Sequence, residues 1–166
     1  MVDVHFAELI YISVAKENLS ARDIKSILET ARVNNAAKDI TGLLCYDGHR
    51  FLQIIEGPKQ NIKDLYLRIA QDMRHDHIEL IHFEDIQERT FKRWQMAFKG
   101  VPKNLLAMLS DQSSLLNFSE ARGALQQANF SFGAGVFSII MDSAYSETQA
   151  PEFEEEPDWY KVSFTA

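Results

Sequence analysis

Phe51-Leu52-Gln53-Ile54-Ile55-Glu56-Gly57 is a short apolar run with one amide in its middle. Its length and β-branched content mark a strand, and Asp47-Gly48 upstream reads as a hairpin turn joining it to Leu43-Leu44-Cys45-Tyr46. A side-chain amide both donates and accepts, and buried without partners it costs on the order of 1–3 kcal/mol. Gln53 therefore sits at an exposed edge, or something polar is bound beside it.

Outward from this hairpin, Leu9–Val14 reads as a first strand, with Leu9, Tyr11 and Ser13 on one face and Ile10, Ile12 and Val14 on the other. Taken alone, Tyr11 is a core tyrosine with a satisfied hydroxyl. Ser20 and Asp23 form a capping-box pair ahead of Ile24, Ile27, Leu28 and Ala31, one apolar helical stripe expected to stop near Asn34-Asn35. Ile40–Tyr46 is the second strand. Gly57-Pro58 closes the third and opens a helix whose buried stripe is expected at Ile62, Leu65, Ile69 and Met73. Arg68, Asp72, Arg74 and His75 near its end form a solvated face or a phosphate-holding cluster. Ile78–Ile86 is a fourth strand, and Trp94–Phe98 a fifth with Trp94, Met96 and Phe98 on one face.

This order gives β-α-β-β-α-β plus one strand, a ferredoxin-like α/β (α+β) sandwich with both helices on one sheet face. The apolar face at Ile10, Ile12 and Val14 then needs another cover. Three later segments can supply it: Pro102–Leu109, Phe118–Ala128, and Phe130–Met141, which is helical or extended. The expected division is a domain over 1–100, a helical extension over 101–145, and an acidic, mobile tail over 146–166 with a terminal aromatic segment, Trp159–Phe164.

Composition narrows the function. The 166 residues carry a net charge of −7, which argues against a nucleic-acid role. Cys45 is the only cysteine, so neither an intrachain disulfide nor a cysteine-based zinc cluster is available. No signal-peptide pattern or long apolar run is present, and the expectation is a soluble, cytoplasmic domain without membrane contact.

Leu9-Ile10-Tyr11, Asn34-Asn35, Ile40-Thr41-Gly42-Leu43-Leu44, the Gln53 strand, Asp72-Met73-Arg74-His75 and Trp94-Gln95-Met96 occur in this order between Glu8 and Phe98. The ordered set resembles the BLUF family of flavin blue-light sensors, and the chain resembles its short, stand-alone members. The resemblance implies FAD as cofactor, with FMN or riboflavin also accommodated. It pairs Tyr11 with Gln53 beside the flavin ring, sets Asn35 and its neighbour Asn34 at the ring's polar edge, and packs Ile27 on the ring. Ser13 is expected to touch the ring too. Arg68, Asp72, Arg74 and His75 fall where the family lines the flavin and its ribityl-phosphate side, and Trp94 and Met96 match the fifth-strand pair around the glutamine.

The implied mechanism is light-driven, proton-coupled electron transfer from Tyr11, which leaves Gln53 rotated or tautomerised. An amide suits this role because it exchanges donor for acceptor without changing charge. The signal would pass along the fifth strand to the C-terminal helices and a downstream protein partner, in a homo-oligomer and without enzymatic turnover. A flavin-dependent redox enzyme and a ligand-free α/β interaction module are the competing readings.

Overall fold

The computed structural model describes residues 4–17, 19–110 and 131–146. In chain order the elements are β1 (Phe6–Ala15), α1 (Ala21–Ala37), β2 (Thr41–Tyr46), β3 (Arg50–Pro58), α2 (Lys59–Ile69), β4 (His75–Ile86), β5 (Ala97–Gly100), α3 (Leu105–Ser110) and α4 (Phe132–Ser146). The strands form one sheet in the order β4-β1-β3-β2-β5, antiparallel except for the β2–β5 pair. This is the ferredoxin-like arrangement with a fifth strand added at the β2 edge.

Local chemistry fixes the elements. The Asp47 carboxylate accepts the N–H groups of His49 and Arg50 at 2.9 and 2.6 Å, and Gly48 takes a φ of 90° that suits glycine. The hairpin register follows, with Tyr46 opposite Phe51 and Leu44 opposite Gln53. Ser20 and Asp23 complete the capping box that starts α1. Gly42 is required by packing: a Cβ there would lie 2.1 Å from the Ile54 carbonyl oxygen.

The period-2 alternation of the strands separates two cores. Leu9, Tyr11, Leu44, Phe51 and Ile55 face α1 and α2, where Ile24, Leu28 and Ile62 meet them. Ile10, Ile12, Leu43, Leu52 and Ile54 face the other way, against Leu106 and Leu109 of α3 and Val136 and Ile140 of α4. The C-terminal helices therefore cover the second sheet face. Polar bonds tie α4 down as well. Buried Glu8 accepts the Gly133 N–H at 2.8 Å and the Ser131 hydroxyl at 3.1 Å, and lies 3.3 Å from His82 Nε2. Opposite it on β3, buried Glu56 accepts the N–H groups of Thr90 and Phe91, each at 2.9 Å.

Several expectations need correction. β1 begins at Phe6, before Leu9, and Val14 is only half-buried. α1 continues past Asn34-Asn35 to Ala37, because the Asn35 side chain finds a tertiary partner in the Gln95 carbonyl. Met73 is 87% exposed: α2 ends at Ile69, and the chain turns through Ala70–Asp72 before Met73 could continue the stripe. β5 begins at Ala97 and not at Trp94. Met96 and Phe98 belong to the core under α1 and α2, whereas Trp94 packs on the opposite side with Phe91 and Phe137. The last apolar segment is helical and runs from Phe132 to Ser146. The expected helix over Phe118–Ala128 and the tail from Glu147 onward lie outside the described residues.

Candidate functional site

β1 and β3 place Tyr11 directly opposite Gln53, so both side chains reach the face covered by α1 and α2. The Tyr11 hydroxyl donates to Gln53 Oε1 at 2.6 Å, and Gln53 Nε2 donates to the Met96 sulfur at 3.4 Å. β3 is interior to the sheet and Gln53 is buried, so the edge explanation for its amide fails. Its second N–H finds no partner among the described residues.

Above this pair opens a cleft of about 260 Å³ between the two helices. Ile27 and Ala31 of α1 and Leu65 and Ile69 of α2 line it, with Leu44, Phe51, Tyr11 and Gln53 from the strands. Thr30, Asn34 and Asn35 supply polar groups from α1, Arg68, Asp72 and Arg74 from α2 and the turn after it, and His75 from the start of β4. Buried Asn35 gives its amide N–H to Gln95 at 2.7 Å, which leaves its carbonyl oxygen as an available acceptor.

Electrostatics divide the cleft. Burial, with the charges of Asp72 and Tyr66 added, pushes the Tyr11 phenol well above its ordinary range, so it holds its proton in the resting state. Arg74 grips Asp72 through a two-pronged bond and holds that carboxyl below its usual range. Arg68 makes no ion pair among the described residues.

His75 lines the cleft, yet both of its ring nitrogens are committed elsewhere. Nε2 is 2.8 Å from the Ile69 carbonyl, which can only accept, so Nε2 carries the proton. Nδ1 then accepts from the Ser13 hydroxyl at 2.7 Å. Ser13, expected at the site, is fully buried and absent from the cleft lining; it stands behind His75 as a support. Trp94 is also absent from the lining, and Met96 reaches the site through Gln53. Thr30, Ala31, Leu44, Phe51, Leu65 and Ile69 also line the cleft, and nothing in the sequence marks them as ligand contacts. Ala31, Leu65 and Ile69 were visible in it only as core stripe positions.

A family model for BLUF, described as sensors of blue light using FAD, matches residues 6–97. The chain belongs to the BLUF family. Photoactivated adenylate cyclase subunit beta of Euglena gracilis is 40% identical over 89 residues, 54% of this chain and 10% of that protein. The blue light- and temperature-regulated antirepressor BluF of Escherichia coli (strain K12) is 36% identical over 70 residues, 42% of this chain and 17% of that protein. The chain thus spans a small part of the length of these relatives. A dark-state structure of the BLUF protein BlrB superposes with a TM-score of 0.57 at 32% identity, over 71% of this chain and 88% of that one. A photo-activated structure of BlsA shares the fold, with a TM-score of 0.58 at 24% identity over 87% and 98% of the two chains.

The cleft suits the flavin that BLUF domains use. A planar ring with apolar faces and one polar edge matches apolar walls from two helices, with the free Gln53 N–H and the Asn35 carbonyl as complementary donor and acceptor. At about 260 Å³ the cavity is near the lower bound of small-molecule sites, roughly 300 Å³. Among the described residues no group of His, Cys, Asp or Glu is placed to hold a metal, and no helix is long and apolar enough to cross a membrane.

Proposed function

We propose that this BLUF chain is a photoreceptor in which Gln53 is the switching group, Tyr11 its redox and proton partner, and Met96 the first element of the output path. When bound, the flavin supplies blue-light absorption and an excited state that can accept an electron. The single observation that supports this reading is the buried chain from the Tyr11 hydroxyl through the Gln53 amide to the Met96 sulfur.

Each residue has a defined task. Tyr11 keeps its proton on the hydroxyl until oxidation makes that proton acidic, and Gln53 Oε1 is 2.6 Å away to receive it. A reversed or tautomerised Gln53 presents a different donor–acceptor pattern both to the ring edge and to Met96. Asn35, Asn34 and Ile27 hold and orient the ring, with Arg68, Asp72, Arg74 and His75 along the ribityl-phosphate side. Burial under α1 and α2 keeps water from competing for the Gln53 amide.

From Met96 the chain enters β5, passes Val101, whose N–H bonds the Tyr46 carbonyl, and continues through Pro102 into α3. We assign the output to this path: residues 1–100 sense, and the helices of 101–145 present the change to a protein partner. The chain works as a sensor and turns over no substrate. One net hydrogen bond, roughly 0.5–1.5 kcal/mol, shifts an equilibrium only several-fold, so the cap must be close to balance in the dark. The test is amide hydrogen exchange of the flavin-loaded protein in darkness and under blue light. Faster exchange confined to Ala97–Ser110 and α4 supports the relay, and identical exchange in both conditions removes it.

A further inference from the structure

We infer that Arg32 is a positioning residue of the light response, acting on Gln53 through the backbone of Met96; the inference rests on the functional reading above. It comes from accounting for the carbonyls of residues 94–96, which lie between the loop after β4 and the start of β5. In a regular strand at this edge of the sheet, alternate oxygens would bond β2 and the others would point away from it. Here the ladder between β2 and β5 begins only at Leu43 and Ala97. The Trp94 carbonyl accepts from the Gly42 N–H at 2.8 Å. The next two turn to helix α1: Gln95 accepts from the Asn35 amide at 2.7 Å, and Met96 from Arg32 Nε at 3.0 Å. Side chains of α1, not the sheet, therefore fix the backbone that carries Met96.

Arg32 does not line the cleft and makes no ion pair among the described residues, and its one side-chain hydrogen bond among them is to this carbonyl. On the same residue, the fully buried Met96 sulfur is the acceptor for Gln53 Nε2. A charged donor thus clamps, from outside the cleft, the residue that rewards the dark orientation of the Gln53 amide. When Gln53 reverses, its oxygen faces the Met96 sulfur, and the clamp keeps Met96 from moving away. The clamp therefore favours return to the dark arrangement.

The test uses flavin-loaded full-length protein and the rate at which the light-induced red shift decays in darkness. Arg32→Met keeps the aliphatic stem and removes the donor; Arg32→Lys restores a charged donor. Arg32→Met should keep a red shift but relax roughly three- to tenfold more slowly, as expected for one lost hydrogen bond. Arg32→Lys should return the rate toward wild type. In a Met96→Leu background, which lacks the sulfur acceptor, Arg32→Met should change the rate less than about twofold. Unchanged or faster relaxation in Arg32→Met overturns the inference, as does an equal effect with and without Met96. A wild-type protein with bound flavin and no red shift would instead overturn the photoreceptor reading itself.

Discussion

Glu8 and Glu56 face each other across β1 and β3, both fully buried beneath the C-terminal helices. Burial, reinforced by the Glu8 charge, pushes the Glu56 carboxyl from 4.5 up to about 7, against the lowering effect of its bonds from Phe91 and Thr90. In the unfolded chain the same group titrates near 4.5. Between these values the folded protein holds a proton that the unfolded chain has released. The stabilising contribution is fully present below pH 4.5 and is lost as the pH rises through about 7, the reverse of an ordinary surface carboxylate. At about 1.4 kcal/mol per pH unit, the interval from 4.5 to about 7 sets an upper bound of roughly 3–4 kcal/mol. The assay is urea unfolding at pH 5.5 and pH 8 of wild type and Glu56→Gln, at matched flavin loading. Wild type should be less stable at pH 8. Glu56→Gln should be weaker at pH 5.5 by roughly 1–3 kcal/mol, because its NH₂ faces a backbone N–H, and its much smaller pH slope should narrow that gap at pH 8. The comparison also separates Glu56 from His82, which lies beside Glu8 in the same cluster. Stability that rises from pH 5.5 to 8, or an unchanged slope in the variant, would refute the reasoning.

Two further predictions concern the same cap. Gly133→Ala places a Cβ 2.2 Å from Glu8 Oε2, so it should displace the carboxylate from the start of α4 and cost roughly 1–3 kcal/mol, read as a lowered melting temperature. Leu106→Ala empties a fully buried position between α3 and the sheet and should cost roughly 2–5 kcal/mol. If the loss is local to the cap, hydrogen exchange should rise there while the flavin spectrum persists; equal loosening of β1 and β3 would contradict a separable cap.

Much of this architecture is legible in the sequence because it is written in local chemistry. The capping box at Ser20 and Asp23, the turn at Asp47-Gly48 and the alternation of β3 each need only a few neighbouring residues. The pairing of Tyr11 with Gln53 comes from the family resemblance alone, and the register of β1 on β3 brings the two together. The misreadings around the site share one cause, a long-range partner that overrides a local pattern. Trp94, Met96 and Phe98 alternate like a strand, yet Asn35 and Arg32 capture the backbone at Gln95 and Met96 and turn Trp94 to the other face. Ser13 has the parity of Tyr11, but the committed nitrogens of His75 hold it behind the cleft. The bond from Gly133 to Glu8 spans 125 positions in the chain, and no pattern of neighbours announces it.

The central claim is that Gln53 is the switching group, and the absorption spectrum tests it most directly. Purified wild type and Gln53→Ala, both loaded with flavin, are measured in darkness and immediately after blue light. The account predicts a small red shift that decays in darkness for wild type, and bound flavin with no such shift for Gln53→Ala. A Gln53→Ala protein that shifts and recovers like wild type would contradict it.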